Sequence, residues 1–316
     1  MGADIAWPIY GHGQAETSFL SALDSGRLHH GWLIEGPSGI GKSRVARRIA
    51  SKLLGSNTAS GTLDAPSDDS TAQKVLADSH PDMKWLARRP DDKGKLKQDI
   101  PVDDVRELNA FFSLKAGMGG WRVGVIDSLD ELNRSGGNAL LKTLEEPPEN
   151  CLLMLISHGT RPILPTIRSR CRTLRLGPLT PEDTSKVLDE QDLNPDAKTM
   201  AATLARGRPG HGMRLSTPSG LGAAHAVRAY LKALPRPSDA LLADLVAKGS
   251  VDTNAFEAVC DEIFAWLDQR AELEASAAQA WLKMSQILSS ARELNMDSAQ
   301  TLAKLLMGLQ SAAKTG

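Results

Sequence analysis

Gly36-Pro37-Ser38-Gly39-Ile40-Gly41-Lys42-Ser43 is the stretch that decides the fold of this chain. It matches the phosphate-binding loop pattern, in which G-x-x-x-x-G is followed by lysine and then serine or threonine, at every fixed position. An apolar run at residues 32–34 precedes it, as expected of a buried strand, and apolar residues at helical spacing follow over residues 44–54. Strand, glycine loop and helix are together the context that such a loop requires.

Each part of the loop has a physical role in holding a nucleotide. Glycine lacks a Cβ atom, so backbone N–H groups can converge on an anion, and a helix N-terminus adds free donors and partial positive charge. Lys42 is expected to reach the β- and γ-phosphates, and Ser43 is expected to hold Mg²⁺. We therefore predict that all eight residues of the loop bind nucleotide. The alternatives are a glycine-rich turn that binds nothing and a loop that binds nucleotide without turning it over.

Composition limits the classes of protein to consider. A chain of 316 residues with 41% hydrophobic and 24% charged residues is typical of a globular protein of two or three domains. Because the formal net charge is only −1, any contact with nucleic acid must come from a local patch. The three cysteines form no C-x-x-C pair, which argues against a disulfide framework and a cysteine zinc site. With neither a signal peptide nor a membrane-spanning run in view, we expect a cytoplasmic protein that binds no membrane.

A second apolar strand ends in an acid that bears on catalysis. Residues 120–126 lead into Asp127, and an aspartate at a strand end beside a phosphate-binding loop is the usual Mg²⁺ partner. In fast ATPases a glutamate follows that aspartate, whereas here the next residue is Ser128, which cannot act as a carboxylate base. Asp130 and Glu131 lie just beyond and could substitute for that glutamate, but on geometry we expect them to begin the next turn and to face solvent. We therefore predict weak or no intrinsic ATP hydrolysis.

Residues 151–156 form a third apolar run, as expected of a strand in a parallel sheet. At its end, Ser157 or His158 could contact a γ-phosphate. An ordinary polar residue at a strand end is an equally good interpretation.

Arginine is concentrated after this strand. Five arginines lie between residues 161 and 175, at positions 161, 168, 170, 172 and 175. One interpretation is a solvated basic face. The other is an arginine aimed at a phosphate, because the rigid guanidinium fork stabilises charge on a transferring phosphoryl group. Arg170, between Ser169 and Cys171, is the candidate.

The alternation of strands and helices ends near residue 177. We predict an α/β core, a parallel sheet flanked by helices, over residues 1–177, a small helical domain over 178–220, and an all-helical domain over 221–316. Residues 55–80 are small, polar and rich in turn formers, so a surface excursion that is partly disordered is expected there.

Three strings resemble segments of bacterial DNA polymerase III clamp-loader subunits, namely residues 26–31, residues 138–148 (NALLKTLEEPP) and Ser169-Arg170-Cys171. Within that family the chain looks more like the delta-prime branch than the gamma/tau motor branch. Ser128 stands in place of the glutamate, no long extension follows the helical domain, and the zinc module of many relatives has no cysteines here.

The resemblance implies an AAA+ core, a three-helix lid at residues 178–220 and a helical collar at 221–316. The collar would join gamma/tau and delta subunits in a hetero-pentameric ring that places the sliding clamp on primed DNA. ATP or ADP with Mg²⁺ would be the ligands, and zinc is not predicted. Asp127 would match the Mg²⁺ aspartate, Ser157 the first sensor and Arg214 the sensor arginine of the lid. Arg170 would be an arginine finger that acts in trans.

Three functions follow for testing. The first is an accessory clamp-loader subunit that binds ATP weakly and supplies Arg170 to a neighbour. The second is a self-sufficient AAA+ ATPase, either the motor subunit or a separate remodelling enzyme, which Ser128 argues against. The third is a structural collar protein with a relic loop.

Overall fold

The computed structural model describes residues 8–90, 97, 99–118, 120–271, 275–294 and 296–315. Contacts divide the chain after Leu179 into two compact units. The described residues of the first unit contain five strands, β1 (Gly31–Glu35), β2 (Met83–Leu86), β3 (Arg122–Asp127), β4 (Cys151–Ser157) and β5 (Arg172–Arg175). Its helices are α1 (Gly13–Asp24), α2 (Lys42–Leu53), α3 (Ser70–Leu76), α4 (Val102–Ser113), α5 (Arg134–Glu145) and α6 (Pro165–Arg168).

The five strands form one sheet in the order β2-β3-β4-β1-β5, and every pair of neighbours is parallel. The strand before the phosphate loop, β1, therefore lies inside the sheet between β4 and β5. Because all the strands run the same way, their carboxyl ends meet at one edge and their amino ends at the other. The carboxyl edge carries the phosphate loop.

Helices cover both faces of this sheet. Alternate residues of a strand point to opposite faces, and on the central strand β4 the side chains of Leu152 and Met154 pack with α1 and α2. Those of Leu153 and Leu155 pack with α4 and α5. All of β4 is buried, as its unbroken apolar run predicts. The predicted fold class, a parallel sheet flanked by helices and followed by helical segments, is confirmed.

The segment from residue 55 to residue 80 is packed, so the expectation of partial disorder is wrong. Leu63, Ala72 and Val75 are fully buried, and Asp69 caps α3 by accepting a hydrogen bond from the backbone of Ala72. Small polar residues indicate a surface segment correctly. They do not reveal the few apolar side chains that tie such a segment to a core.

All the secondary-structure elements in the described residues of the second unit are helices. Its helices are α7 (Pro181–Asp189), α8 (Pro195–Ala205), α9 (Pro209–Leu215), α10 (Pro218–Lys232), α11 (Asp239–Gly249), α12 (Thr253–Ala271), α13 (Ala275–Glu293) and α14 (Ser298–Thr315). Its core extends from Leu215 to Leu309. The predicted division of this unit into a lid and a collar at residue 220 stays a prediction. No described helix has both the length and the apolar character needed to cross a lipid bilayer.

Gly212 allows α9 to approach α8 closely. A Cβ atom on Gly212 would lie 2.3 Å from the carbonyl oxygen of Ala201 and 2.9 Å from the Cβ of Ala205. Gly212→Ala should therefore lower the free energy of unfolding by about 1–3 kcal/mol, as overpacking does. Gly222→Ala in α10 is the control, since nothing lies within 4 Å of that Cβ. It should be neutral or stabilising, and urea denaturation of both variants measures the contrast.

Candidate functional site

The phosphate loop joins β1 to α2, and Lys42 is the first residue of that helix. Lys42 is buried, and its Nζ donates to the carbonyl oxygens of Gly36 and Pro37, each at 2.6 Å. The backbone carbonyl groups of the loop therefore hold the ammonium group of Lys42 over the loop. Phosphate oxygens are stronger acceptors than neutral carbonyls for an ammonium group. A bound phosphate can thus replace these contacts without leaving a buried charge unpaired.

Gly36 is required by the close approach of two backbones. A Cβ atom on Gly36 would lie 2.3 Å from the carbonyl oxygen of Leu176 and 2.7 Å from the Cδ1 of Ile40. Gly36 therefore cannot be replaced by a larger residue unless the loop or the backbone at Leu176 moves. The first glycine of the motif is thus explained by packing against the segment that follows β5.

Ser43 and Asp127 meet at this edge, as the sequence predicts. The Ser43 hydroxyl donates to Asp127 Oδ2 at 2.7 Å. Burial raises the pKa of Asp127 above its ordinary value, while the Ser43 hydrogen bond and the charge of Lys42 act in the opposite direction. A buried carboxylate of this kind gains from a cation, and a hydroxyl beside a carboxylate is a donor set that suits Mg²⁺. Two adjacent ligands of octahedral Mg²⁺ lie about 3 Å apart, so the spacing of Ser43 and Asp127 fits the ion.

Ser157 ends β4 and stands beside Glu35 in the register of β4 with β1. It is buried, and its Oγ accepts a hydrogen bond from the backbone N–H of Gly159 at 3.1 Å. Register therefore places Ser157 at the carboxyl edge, one residue before the loop begins on the neighbouring strand. Its predicted contact with a γ-phosphate stays a prediction.

Asp130 does not face solvent, so that expectation is wrong. Asp130 is only 4% exposed. Its carboxylate accepts hydrogen bonds from the backbone N–H groups of His158, Thr160 and Arg161 at 2.7–3.1 Å. Its role is to hold the loop that follows β4. A carboxylate engaged in this way cannot turn to activate water.

Glu131 and Ser128 do not supply the missing base either. Glu131 forms an ion pair with Arg88, with 2.7 Å between Oε1 and Nε. Ser128 is buried directly after Asp127. Among the described residues next to Asp127, the structure therefore places no free carboxylate where fast ATPases carry their glutamate.

Arg170 lies at the opposite edge of the sheet from the loop. Its carbonyl oxygen is 3.1 Å from the position of a Cβ on Gly31, the first residue of β1. Its side chain is 36% exposed, and one guanidinium nitrogen donates to the carbonyl oxygen of Thr166 at 3.0 Å. Another nitrogen lies 3.0 Å from Glu145, the last residue of α5. The structure thus separates Arg170 from the phosphate loop of its own chain.

The other four arginines of the 161–175 segment have different surroundings. Arg168 and Arg175 both pair with Glu35, at 2.5 and 3.7 Å. Arg161 donates to the carbonyl oxygens of Asp130 and Leu132. Arg172 lies over the ring of Trp32. The segment is therefore not a uniform solvated basic face.

Arg214 belongs to a charged cluster in the helical unit, which sequence reasoning missed. Its Nη2 donates to Asp261 at 2.7 Å, and the same carboxylate lies 2.9 Å from Nδ1 of the fully buried His211. The next residue, Glu262, accepts two hydrogen bonds from Arg228. Two acids beside the apolar face of α12 were the available signal. The sensor role of Arg214 stays a prediction.

The acids of this cluster have depressed pKa values. Burial raises the pKa of Asp261, but the His211 hydrogen bond and the charge of Arg214 outweigh it and bring the pKa to about 2. Burial likewise opposes the hydrogen bonds from His211 and Arg228 that bring the pKa of Glu262 to about 2. Both carboxylates are therefore ionised at neutral pH and bind their partners as anions.

Comparison with known proteins identifies relatives of this chain. The family model described as DNA polymerase III, delta subunit, matches residues 11–180. DNA polymerase III subunit delta' of Pseudomonas aeruginosa is 38% identical over 142 residues, which are 45% of this chain and 41% of that protein. Subunit delta' of Escherichia coli is 31% identical over 204 residues, 62% and 57% of the two chains. Subunit gamma of Buchnera aphidicola (Schizaphis graminum) is 33% identical over 176 residues, 55% and 46%.

The matched regions thus span about half the length of these curated relatives. Among solved structures, a gamma subunit-related protein of Thermotoga maritima aligns with 95% of this chain and 99% of its own, at a TM-score of 0.41 and 14% identity.

Proposed function

This chain belongs to the DNA polymerase III delta-subunit family, and we propose that it acts as the delta-prime-type subunit of a clamp loader. In this proposal it joins gamma/tau and delta subunits in a hetero-pentameric ring in the cytoplasm. The ring uses ATP to open the sliding clamp and to place it on primed DNA. This subunit binds ATP weakly or without turnover, and it supplies Arg170 to the nucleotide site of a neighbour.

The observation that carries the proposal is the separation of Arg170 from the phosphate loop of its own chain. Arg170 lies beside Gly31 at the start of β1, and the loop follows Glu35 at its end. Four steps along a strand correspond to about 13 Å. A partly exposed arginine at that edge could meet a nucleotide of another subunit, where its guanidinium would stabilise charge on the transferring phosphoryl group.

The site of this chain supports binding better than turnover. Lys42 and the loop N–H groups would hold the phosphates, and Ser43 and Asp127 would hold Mg²⁺, which neutralises phosphate charge when bound. Water would still need a base to orient it. Ser128 is not a base, and Asp130 and Glu131 are engaged elsewhere.

A motor-type ATPase is the second candidate, favoured by the intact loop and by similarity to proteins named gamma. It requires the isolated chain to turn over ATP. Steady ATP hydrolysis by the purified chain that Lys42→Ala abolishes would replace our proposal with this one.

Lys42→Ala should weaken binding of Mg–ATP to the isolated chain by about 10- to 150-fold, because a hydrogen bond to a charged group contributes about 1.5–3 kcal/mol. An equilibrium titration with a fluorescent ATP analogue measures the effect. Lys52→Ala, near the other end of α2, removes the same side chain and should bind like the unmodified chain. If the unmodified chain binds no nucleotide with Mg²⁺ present, the loop is a relic and only a structural role remains.

Assembly tests the partners directly. The chain, mixed with gamma/tau and delta subunits of the same source, should elute as one complex in size-exclusion chromatography. The nucleotide content of that complex is then measured. Elution of this chain apart from both partners, at concentrations at which the partners associate, would contradict the proposal.

A further inference from the structure

His12 contacts the phosphate loop from a distant part of the chain. It is only 6% exposed, and its Nε2 lies 2.8 Å from the carbonyl oxygen of Ile40, 28 residues further on. A carbonyl oxygen can only accept a hydrogen bond, so Nε2 carries the proton and donates it. The contact reaches the middle of the loop, between Gly39 and Gly41.

Requirements of the helix do not explain a histidine at this position. His12 is the N-cap residue of α1, where serine, threonine, aspartate and asparagine are the usual choices. The side chain of His12 makes no capping hydrogen bond to α1. Its imidazole is directed at the phosphate loop instead.

The geometry of one peptide bond shows what this contact does. The carbonyl of Ile40 and the N–H of Gly41 belong to the same planar trans peptide, so they point in opposite directions. Gly41, which contributes the N–H, has a φ of +101°, which only glycine adopts readily. Glycine at this position allows the peptide to rotate unless another group holds it. A donor on its carbonyl side aims its N–H to the other side.

We propose that His12 is a positioning residue of the nucleotide site: by holding the carbonyl of Ile40, it aims the N–H of Gly41 at an oxygen of a bound triphosphate. This inference rests on the proposed nucleotide binding and adds a residue to it. Loss of the hydrogen bond leaves the loop to order itself when the anion binds. Affinity for the phosphate chain should then fall by about 2- to 12-fold, the range for one net hydrogen bond.

The test uses the full chain and inorganic tripolyphosphate, which offers a phosphate chain without a base or sugar. His12→Leu removes the donor, and His12→Gln places an amide N–H near the position of Nε2. His225→Leu, at an exposed histidine on α10, is the matched control. Isothermal titration calorimetry with Mg²⁺ should show binding weakened by about 2- to 12-fold in His12→Leu, restored in His12→Gln and unchanged in His225→Leu. Thermal unfolding of each variant is measured in parallel.

The outcomes separate this inference from the proposal on which it rests. Equal affinity of His12→Leu and the unmodified chain would overturn the role of His12 alone. So would an equal loss in His12→Gln and His12→Leu with unchanged thermal unfolding, because then the N–H donor is not what matters. An unmodified chain that binds no tripolyphosphate would overturn the nucleotide site and this role together.

Discussion

Arg170→Ala should lower ATP turnover at the site that this arginine serves by about 10³-fold or more, while the ring still assembles. The charge that develops on a transferring phosphoryl group loses its guanidinium partner in this variant, and alanine offers no replacement. The ion pair with Glu145 does not prevent Arg170 from binding a neighbouring phosphate, because an ion pair this exposed contributes only about 0–1 kcal/mol. A neighbouring triphosphate carries more charge than one carboxylate and should attract the guanidinium in its place.

Single-turnover ATP hydrolysis by the complete ring, at saturating clamp and primed DNA, measures the loss of turnover. Arg175→Ala is the control, since Arg175 lies on the same segment, is largely exposed and has only a distant pair with Glu35. It should change turnover by about twofold or less, as surface substitutions do. Turnover in Arg170→Ala that equals that of the unmodified ring would show that Arg170 is no arginine finger.

Asp261→Asn should lower the free energy of unfolding of the helical unit by about 1.5–3 kcal/mol, the range for losing a hydrogen bond to a charged group, because the pair with Arg214 is partly exposed. The variant keeps the shape of the side chain and removes its charge. Arg214 and Arg208 then lose the anion that they face, and His211 keeps only Glu262. Urea denaturation of the full chain, followed by circular dichroism, measures the loss.

The same charged cluster makes the free energy of unfolding depend on pH. The pKa values of Asp261 and Glu262 are about 2 in the folded chain, below the ordinary values near 4 of an unfolded chain. A carboxyl group whose pKa is lower in the folded chain than in the unfolded chain stabilises the fold at pH values above its unfolded pKa. This stabilisation is lost as the pH falls through the folded pKa. Stability should therefore hold down to about pH 4 and decline towards pH 2, and the decline should be smaller in Asp261→Asn.

Asp244→Asn is the matched control for both measurements. Asp244 pairs with Lys248 one turn along α11, and both side chains are about half exposed. Its loss should cost about 0.3–0.5 kcal/mol. An Asp261→Asn chain no less stable than Asp244→Asn would show that the cluster contributes charge without net stabilisation.

Local patterns in the sequence were sufficient to predict the elements of the candidate phosphate site. The loop motif, the strand before it and Asp127 at the end of β3 all follow from spacing and apolar runs. Asp127 and Ser43 meet because parallel strands bring their carboxyl ends to one edge. The apolar run of β4 likewise predicted a strand buried on both faces.

Contacts between distant segments were beyond such patterns. Asp130 holds backbone N–H groups about 30 residues away, and nothing in its own neighbourhood distinguishes it from an acid in a surface turn. His12 and Ile40 are 28 residues apart, and Arg214 and Asp261 are 47 apart. The partner of a polar side chain is set by how the helices and strands pack, which no local periodicity records.

The parallel sheet gives the first unit a direction, because Arg170 lies at one end of the strands and the phosphate loop lies at the other. Two copies related by a two-fold axis would place like ends together and leave both unused, because such an interface joins the same patch on each subunit. Head-to-tail stacking is the arrangement that uses both ends. Under the proposed function, a subunit whose own phosphate loop turns over no ATP would remove one working ATP site from the ring and would still supply Arg170 to its neighbour.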